Sequence, residues 1–183
     1  MKKIIFSIII IFIALGGYLI YNNKKEAVKN NNLNNLNMTI TSPNFKNNEF
    51  IPKEFSCDGQ DLNPELHISN VPKEAKSLVL IVDDPDAPMG TWTHWTVWNI
   101  SPDIQVIKSN QLPVGAVEGQ TDFGRTGYGG PCPPAGKAHR YFFKLYALDI
   151  ILNLQPGALR SELEKTMQGH IISQAELIGL YQR

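Results

Sequence analysis

Prolines constrain this chain more than any other feature of its sequence. Eleven of the 12 prolines lie before residue 135, and the short apolar stretches between them are separated by glycine and asparagine. Because proline lacks a backbone N–H and breaks a helix interior, this spacing favours short strands joined by turns. The sequence therefore predicts a mainly β fold, an antiparallel β-sandwich with one or two peripheral helices.

Four segments carry a strand pattern, and one segment carries a helix pattern. The strand segments are rich in aromatic, aliphatic and β-branched residues and comprise residues 77–82, 92–100, 141–149 and 175–181. The first of them is a continuous apolar run, which predicts burial on both faces of the sheet. In residues 158–168 apolar side chains recur at every fourth position after a Pro-Gly pair, and this spacing predicts the helix.

The N-terminus carries an uncharged apolar run, residues 4–21, that follows two lysines. Its length is close to the roughly 20 residues of a membrane-spanning helix, so residues 1–22 are interpreted as an uncleaved membrane anchor. The alternative is a signal peptide cleaved near residues 14–17. Residues 23–37 are rich in asparagine and predict a solvated tether for one folded domain, residues 38–183. We expect that domain outside the cytoplasm, or secreted if the segment is cleaved.

The charge of the predicted domain excludes one class of partner. Residues 31–183 contain 12 Lys and Arg against 16 Asp and Glu, and no basic stripe interrupts them. Such a surface repels the phosphate backbone, so no nucleic acid partner is expected.

Three aspartates crowd the stretch DDPDAP, residues 83–88, which we call the acidic block. Its prolines cannot donate sheet hydrogen bonds, so the preceding strand should end at about Asp84 and leave Asp84 and Asp86 at the rim of the sheet. His94 follows on the next strand. Strict alternation there would place four side chains on one face, namely Trp92, His94, Thr96 and Trp98.

A second unusual stretch, residues 127–136, contains four glycines and three prolines and is called here the Gly-Pro loop. Successive amides in such turns can form an anion-binding nest. His139 and Tyr141 follow it on one face of the next strand and could donate to the same anion. The simpler interpretation is that the aspartates cap turns, the histidines are core residues and the loop is ordinary.

Three enzymatic arrangements are also considered. The donor atoms of the Asp and His side chains suit a metal, but no EF-hand, H-E-x-x-H or Cys-pair spacing occurs, so no metal or cofactor is expected. Cys132 and His139 could form a nucleophile and base. The prolines on both sides of Cys132, however, keep it from lying at a helix N-terminus, where the pKa of a thiol is lowered. Paired carboxylates could act as acid and base. Cys57 and Cys132 could instead form one disulfide, and the sequence leaves that pairing open.

Over residues 55–183 the chain resembles the phosphatidylethanolamine-binding protein family, in its bacterial branch often described as Raf kinase inhibitor-like. The resemblance rests on DPDAP, HW, GYGGPCPPAGKAHRY and GHIISQAELIGLYQR, in that order. It implies a β-sandwich with a small anion pocket at one end. The pocket residues that it implies are Asp84, Asp86, His94, Gly130, Pro131, His139 and Tyr141.

The expected function is that of a membrane-tethered, non-enzymatic binding protein. Its ligand would be a small phosphate-bearing molecule or a lipid headgroup, met by His139 and loop amides. Two alternatives remain open, a protein-interaction module that inhibits a kinase or protease and a hydrolase that uses the Asp and His side chains. The binding interpretation requires the acidic block and the Gly-Pro loop to face one cavity.

Overall fold

The computed structural model describes residues 37–183. The predicted anchor, residues 1–22, and all but the last residue of the predicted tether lie outside the described residues. From residue 37 onward, no helix has both the length and the hydropathy to cross a membrane. The strands of this region are β1 (Thr39–Thr41), β2 (Glu49–Phe50), β3 (Leu66–Ser69), β4 (Ser77–Asp84), β5 (Trp92–Ile100), β6 (Val106–Ile107), β7 (Val117–Glu118), β8 (His139–Leu148) and β9 (Ile171–Tyr181). One α-helix, α1 (Arg160–Met167), and a 3₁₀ turn at Lys53–Phe55 accompany them.

The strands form two sheets. The larger has the order β2-β9-β8-β4-β5-β7, and the smaller has the order β1-β3-β6. Neighbouring strands are antiparallel except for β2 and β9, which pair in parallel through two residues each. The predicted mainly β fold is confirmed, with one parallel edge pair that the sequence pattern did not indicate.

The larger sheet is covered on both faces, and its central strand β4 is buried at every position. On one face, Leu80 and Val82 belong to a core shared with Ile40 and Ile68 of the smaller sheet. On the other face, Val79 and Ile81 pack in a cluster with Leu163 and Met167 of α1. Successive strand residues point to opposite faces, which explains why residues 77–82 read as a continuous apolar run.

The predicted helix is present over a shorter span, and charged side chains fix its first turn. The Glu162 carboxylate accepts a hydrogen bond from the Leu159 N–H at 2.8 Å, which caps the first turn. The Arg160 guanidinium lies 2.8 Å from the buried Asp83 carboxylate and joins α1 to the sheet. Gly169 follows the helix with a φ of 79°, a left-handed conformation that ends the helix.

Strand β5 carries a bulge that positions the site. Val82 pairs with Trp95, whereas Asp84 pairs with Trp92, so β5 holds one residue more than β4 in this interval. The predicted strict alternation along β5 is therefore wrong. Trp98 packs in the helix-side cluster, while His94 lies edge-to-face against Tyr141 of β8, with ring centroids 5.1 Å apart.

Candidate functional site

A cavity of about 230 Å³ lies where β4 ends and where β5 and β8 begin. It is lined by residues of the acidic block, β5, the Gly-Pro loop and β8, namely Asp84, Ala87, Pro88, Trp92, His94, Phe123, Cys132, Pro133, Pro134, His139 and Tyr141. The acidic block and the Gly-Pro loop therefore face one cavity, as the binding interpretation requires.

Asp84 and His139 form a buried pair in the cavity wall. The Asp84 Oδ2 and His139 Nδ1 atoms are 2.7 Å apart, and the two side chains are only 4% and 7% exposed. The other carboxylate oxygen of Asp84 accepts the backbone N–H of Asp86 at 2.8 Å. An ionised carboxylate only accepts hydrogen bonds, so His139 donates from Nδ1 and its Nε2 is left for another partner.

His94 is held in one orientation by the Gly-Pro loop. Its Nδ1 donates to the carbonyl oxygen of Gly129 at 2.6 Å, and the Gly129 N–H donates to the His94 carbonyl at 3.0 Å. Burial lowers the pKa of His94, although the Gly129 carbonyl and Asp84 oppose that shift. The ring is therefore neutral near pH 7, and its Nε2 is a hydrogen-bond acceptor.

Tyr141 contributes a buried hydroxyl to the same wall. Within residues 37–183 this hydroxyl has no hydrogen-bond partner. Burial and the nearby Asp84 carboxylate raise the pKa of Tyr141, so it remains a phenol that can donate. The hydroxyl is inaccessible to solvent, and the acceptor that acts on it is the Asp84 carboxylate.

Asp86 does not line the cavity. Its carboxylate accepts two hydrogen bonds from the Arg140 guanidinium, at 2.8 and 2.7 Å, and one from the Arg140 N–H at 3.0 Å. These bonds hold the pKa of Asp86 at about 2, below its usual value of 3.8, although partial burial acts in the opposite direction. The remaining aspartate of the block, Asp83, is buried on the other face of the sheet, and its carboxylate lies 2.7 Å from the Lys144 ammonium.

Gly130 and Pro131 are not among the residues that line the cavity. The Gly130 N–H donates to Asp61 Oδ1 at 2.6 Å, and the Pro131 carbonyl accepts the Cys57 N–H at 3.1 Å. A Cβ atom at Gly130 would collide with the Phe55 carbonyl and the Asp61 carboxylate, so this position requires glycine. The predicted anion nest is wrong for the Gly129 and Gly130 amides, because both already donate within the protein.

The structure bears on two of the enzymatic arrangements. Cys57 and Cys132 form a disulfide, the pairing that the sequence left open. Cys132 is therefore not a thiolate and cannot be the nucleophile paired with His139. Across the part of the chain that the structure describes, no three His, Cys, Asp or Glu side chains cluster as metal ligands.

The sequence placed Trp92 on the face of His94 but gave no indication of Phe123, another aromatic residue of the cavity. Trp92 and Phe123 pack edge-to-face with centroids 5.5 Å apart, and Phe123 also contacts His94. Trp92 reaches the cavity because it pairs with Asp84 across the bulge. Phe123 lies in a turn with no strand or helix pattern, so no periodic signal in the sequence could have indicated its position.

Comparison with known proteins now places the chain in a family. The sequence model described as Phosphatidylethanolamine-binding protein matches residues 41–182. The chain belongs to this family. A UPF0098 protein of Pyrococcus horikoshii is 55% identical over 146 residues, which are 76% of this chain and 74% of that protein. A UPF0098 protein of Methanothermobacter thermautotrophicus is 48% identical over 151 residues, which are 80% of this chain and 99% of that protein.

Solved structures of family members share the fold. A phosphatidylethanolamine-binding protein homolog from Chlamydia trachomatis superposes with a TM-score of 0.77 at 44% identity, over 80% of this chain and 98% of that one. Escherichia coli YbcL, described as a member of the mammalian family, superposes with a TM-score of 0.75 at 33% identity over the same shares. Residues of this one domain thus correspond to nearly all of each solved chain, and those chains adopt the fold without a counterpart of the N-terminal segment.

The family resemblance named seven ligand-binding residues, and the structure divides them into two groups. Four line the cavity, namely Asp84, His94, His139 and Tyr141. The other three, Asp86, Gly130 and Pro131, support its walls through the contacts described above. The ligand-binding role of all seven stays a prediction.

Proposed function

We propose that this protein is a non-enzymatic binding protein that holds a small phosphate-bearing group in the cavity between the acidic block and the Gly-Pro loop. The observation that carries the proposal is the convergence of a carboxylate–imidazole pair, a second imidazole and an unpartnered phenol on one small cavity. Such convergent polar groups in an otherwise apolar cavity are typical of small-molecule sites.

The donors of the cavity suit an oxyanion. His139 and Tyr141 both line the cavity, and neither His139 Nε2 nor the Tyr141 hydroxyl forms a hydrogen bond of ordinary length to a described residue. Hydrogen bonds from such groups to a charged oxygen each contribute about 1.5–3 kcal/mol. We therefore propose these two side chains, instead of the Gly129 and Gly130 amides, as the donors to the anion.

The apolar walls limit the size of the ligand. Trp92, Phe123 and prolines surround the polar groups, and the cavity volume is about 230 Å³. Pockets for drug-sized molecules occupy roughly 300–1,000 Å³, so this cavity suits a headgroup or a small phosphoester rather than a whole lipid. The aromatic walls would contact the carbon atoms that the phosphate carries.

We also propose that the domain is held at a membrane, outside the cytoplasm, by residues 4–21, or is secreted if that segment is cleaved. The uncharged apolar run supports the anchor. The Cys57–Cys132 disulfide supports an oxidising compartment, because disulfides persist outside the cytosol.

A hydrolase is the second candidate, because the Asp84–His139 pair has the geometry of an oriented general base. A serine, threonine or free thiol within reach would be needed for covalent catalysis, and the residues that line the cavity include none. Turnover of para-nitrophenyl phosphate by the purified domain, lost in His139→Ala, would overturn the non-enzymatic proposal.

The test of binding is calorimetry on residues 37–183 with inorganic phosphate and O-phosphoethanolamine. His139→Ala should weaken binding at least tenfold, because it removes a charged hydrogen bond of about 1.5–3 kcal/mol. His170→Ala is the matched control, since His170 forms an exposed pair with Asp149 at 2.9 Å and neither residue lines the cavity. The control should bind as the unmodified domain does.

Two outcomes would overturn the proposal. One is the absence of heat with both ligands, and the other is equal affinity of the unmodified domain and His139→Ala. Capture of a protein from envelope extract that survives Asp84→Ala would instead favour the protein-interaction alternative.

A further inference from the structure

We propose that the cavity selects a phosphate monoester in its singly protonated form and that His94 and His139 play opposite roles in this choice. His94 accepts a hydrogen bond from the ligand's P–OH group, and protonated His139 donates to an anionic oxygen. This inference rests on the proposed function, since it concerns the same cavity.

The hydrogen bonds already formed assign these roles. A carbonyl oxygen can only accept, so the 2.6 Å contact with Gly129 places a hydrogen on His94 Nδ1. A neutral His94 then has a lone pair on Nε2, which can accept a hydrogen bond from the ligand. The Asp84 carboxylate likewise takes the Nδ1 hydrogen of His139 at 2.7 Å. His139 can donate from Nε2 only when its ring carries a second proton.

The charges around the cavity favour the same form of the ligand. Neither lysine nor arginine is among its lining residues. Arg140 is bound to Asp86 outside the cavity, and Lys144 is bound to Asp83 on the other face of the sheet. Protonated His139 balances the Asp84 carboxylate, so a dianion would bring two uncompensated charges into the site and a monoanion only one.

Several titratable groups surround the two rings, and none removes the need for a proton. Asp83 and Asp84 act on His94 through their negative charge. His139 neighbours Arg140 along β8 and pairs across the sheet with Tyr181. The charge of His139 lowers the pKa of Asp86, but the Asp86 carboxylate is already paired with the Arg140 guanidinium.

The sign of the pH dependence follows. Raising the pH deprotonates the phosphate monoester, whose second pKa is about 6. This change removes the P–OH hydrogen that the complex needs, so affinity should fall as the pH rises. A phosphodiester keeps one negative charge at every pH but has no P–OH group to donate to His94.

The experiment compares methyl phosphate with dimethyl phosphate by calorimetry on residues 37–183. At about pH 6, methyl phosphate should bind about tenfold more tightly, and its affinity should fall about fiftyfold by about pH 8, because its singly protonated fraction falls from about a half to about a hundredth. Titrations in buffers with different ionisation enthalpies should show net proton uptake at about pH 8. His94→Phe, checked for folding by circular dichroism, should bring the two affinities to within about threefold, because it removes the acceptor.

The outcomes separate this inference from the proposed function. Equal binding of the two esters by the unmodified domain, or binding of methyl phosphate without proton uptake at about pH 8, overturns the inference and leaves the anion site standing. Absence of heat with either ester overturns both. Proton uptake needs no variant, so the test holds even if His94→Phe fails to fold.

Discussion

The Cys57–Cys132 disulfide joins the turn after the 3₁₀ segment to the wall of the cavity, and its contribution to stability can be calculated from the chain. The perturbation is the double substitution Cys57→Ser and Cys132→Ser. Both cysteines are exposed, so serine at these positions removes little packing and leaves the closed loop as the main difference.

The magnitude follows from the length of that loop. The two cysteines are 75 residues apart, and closing a loop of this size in the unfolded chain reduces its entropy by an amount worth about 4 kcal/mol. A typical domain is stable by about 5–15 kcal/mol, so the change removes a large share of the total. Local bonds such as Cys57 N–H to the Pro131 carbonyl, at 3.1 Å, remain in the variant.

The assay is equilibrium unfolding in urea, with the free energy extrapolated to water. The double variant should lose about 4 kcal/mol, and its m-value should rise because an uncrosslinked unfolded chain exposes more surface. The control is the unmodified domain with a reductant, which should show the same loss, and mass spectrometry without reductant should find no free thiol. A loss below about 1 kcal/mol with an unchanged m-value would refute the loop-entropy reasoning.

Two further predictions concern the other aspartates. Asp83→Asn should cost about 2 kcal/mol in urea unfolding, less than the 3–5 typical of broken buried pairs because its partners Lys144 and Arg160 are about a quarter exposed. Asp149→Asn, at an exposed pair, should cost less than about 0.5 kcal/mol, and equal losses would contradict the structural role of Asp83. In a carbon-13 NMR titration the carboxyl of Asp86 should titrate at about pH 2 and move toward 3.8 in Arg140→Ala, because the guanidinium stabilises the ionised form. Since that pKa is lowered by folding, the stabilisation should be complete above the unfolded value and lost as the pH falls through about 2, and an unshifted Asp86 signal in Arg140→Ala would contradict the assignment.

Local patterns sufficed to predict most strands of the larger sheet. Residues 77–82 and 92–100 became β4 and β5 nearly as expected, because apolar runs and terminating prolines act within a few residues. The bulge in β5 could not be predicted in this way. It depends on the register between β4 and β5, which no single strand encodes.

The sequence likewise predicted some features of the site and not others. Asp84 and His139 were indicated by the end of one strand and the start of another, and these ends meet in the larger sheet. Asp86 differs because it binds Arg140, and no motif in the sequence indicates that pair. The unpartnered hydroxyl of Tyr141 depends on what surrounds it in three dimensions, which a sequence pattern does not contain.

The acidic block distributes adjacent carboxylates among three separate environments. Asp83 anchors the helix, Asp84 faces the cavity and Asp86 holds Arg140. The Asp84 carboxylate also accepts the Asp86 N–H and holds His139, so changes at position 84 would couple to the rest of the block. The aromatic wall at Trp92 and Phe123 shares no hydrogen bond with these carboxylates. Laboratory evolution could therefore diversify the aromatic wall to alter ligand choice while positions 83, 84 and 86 are kept constant, so that new recognition need not come at the expense of the scaffold.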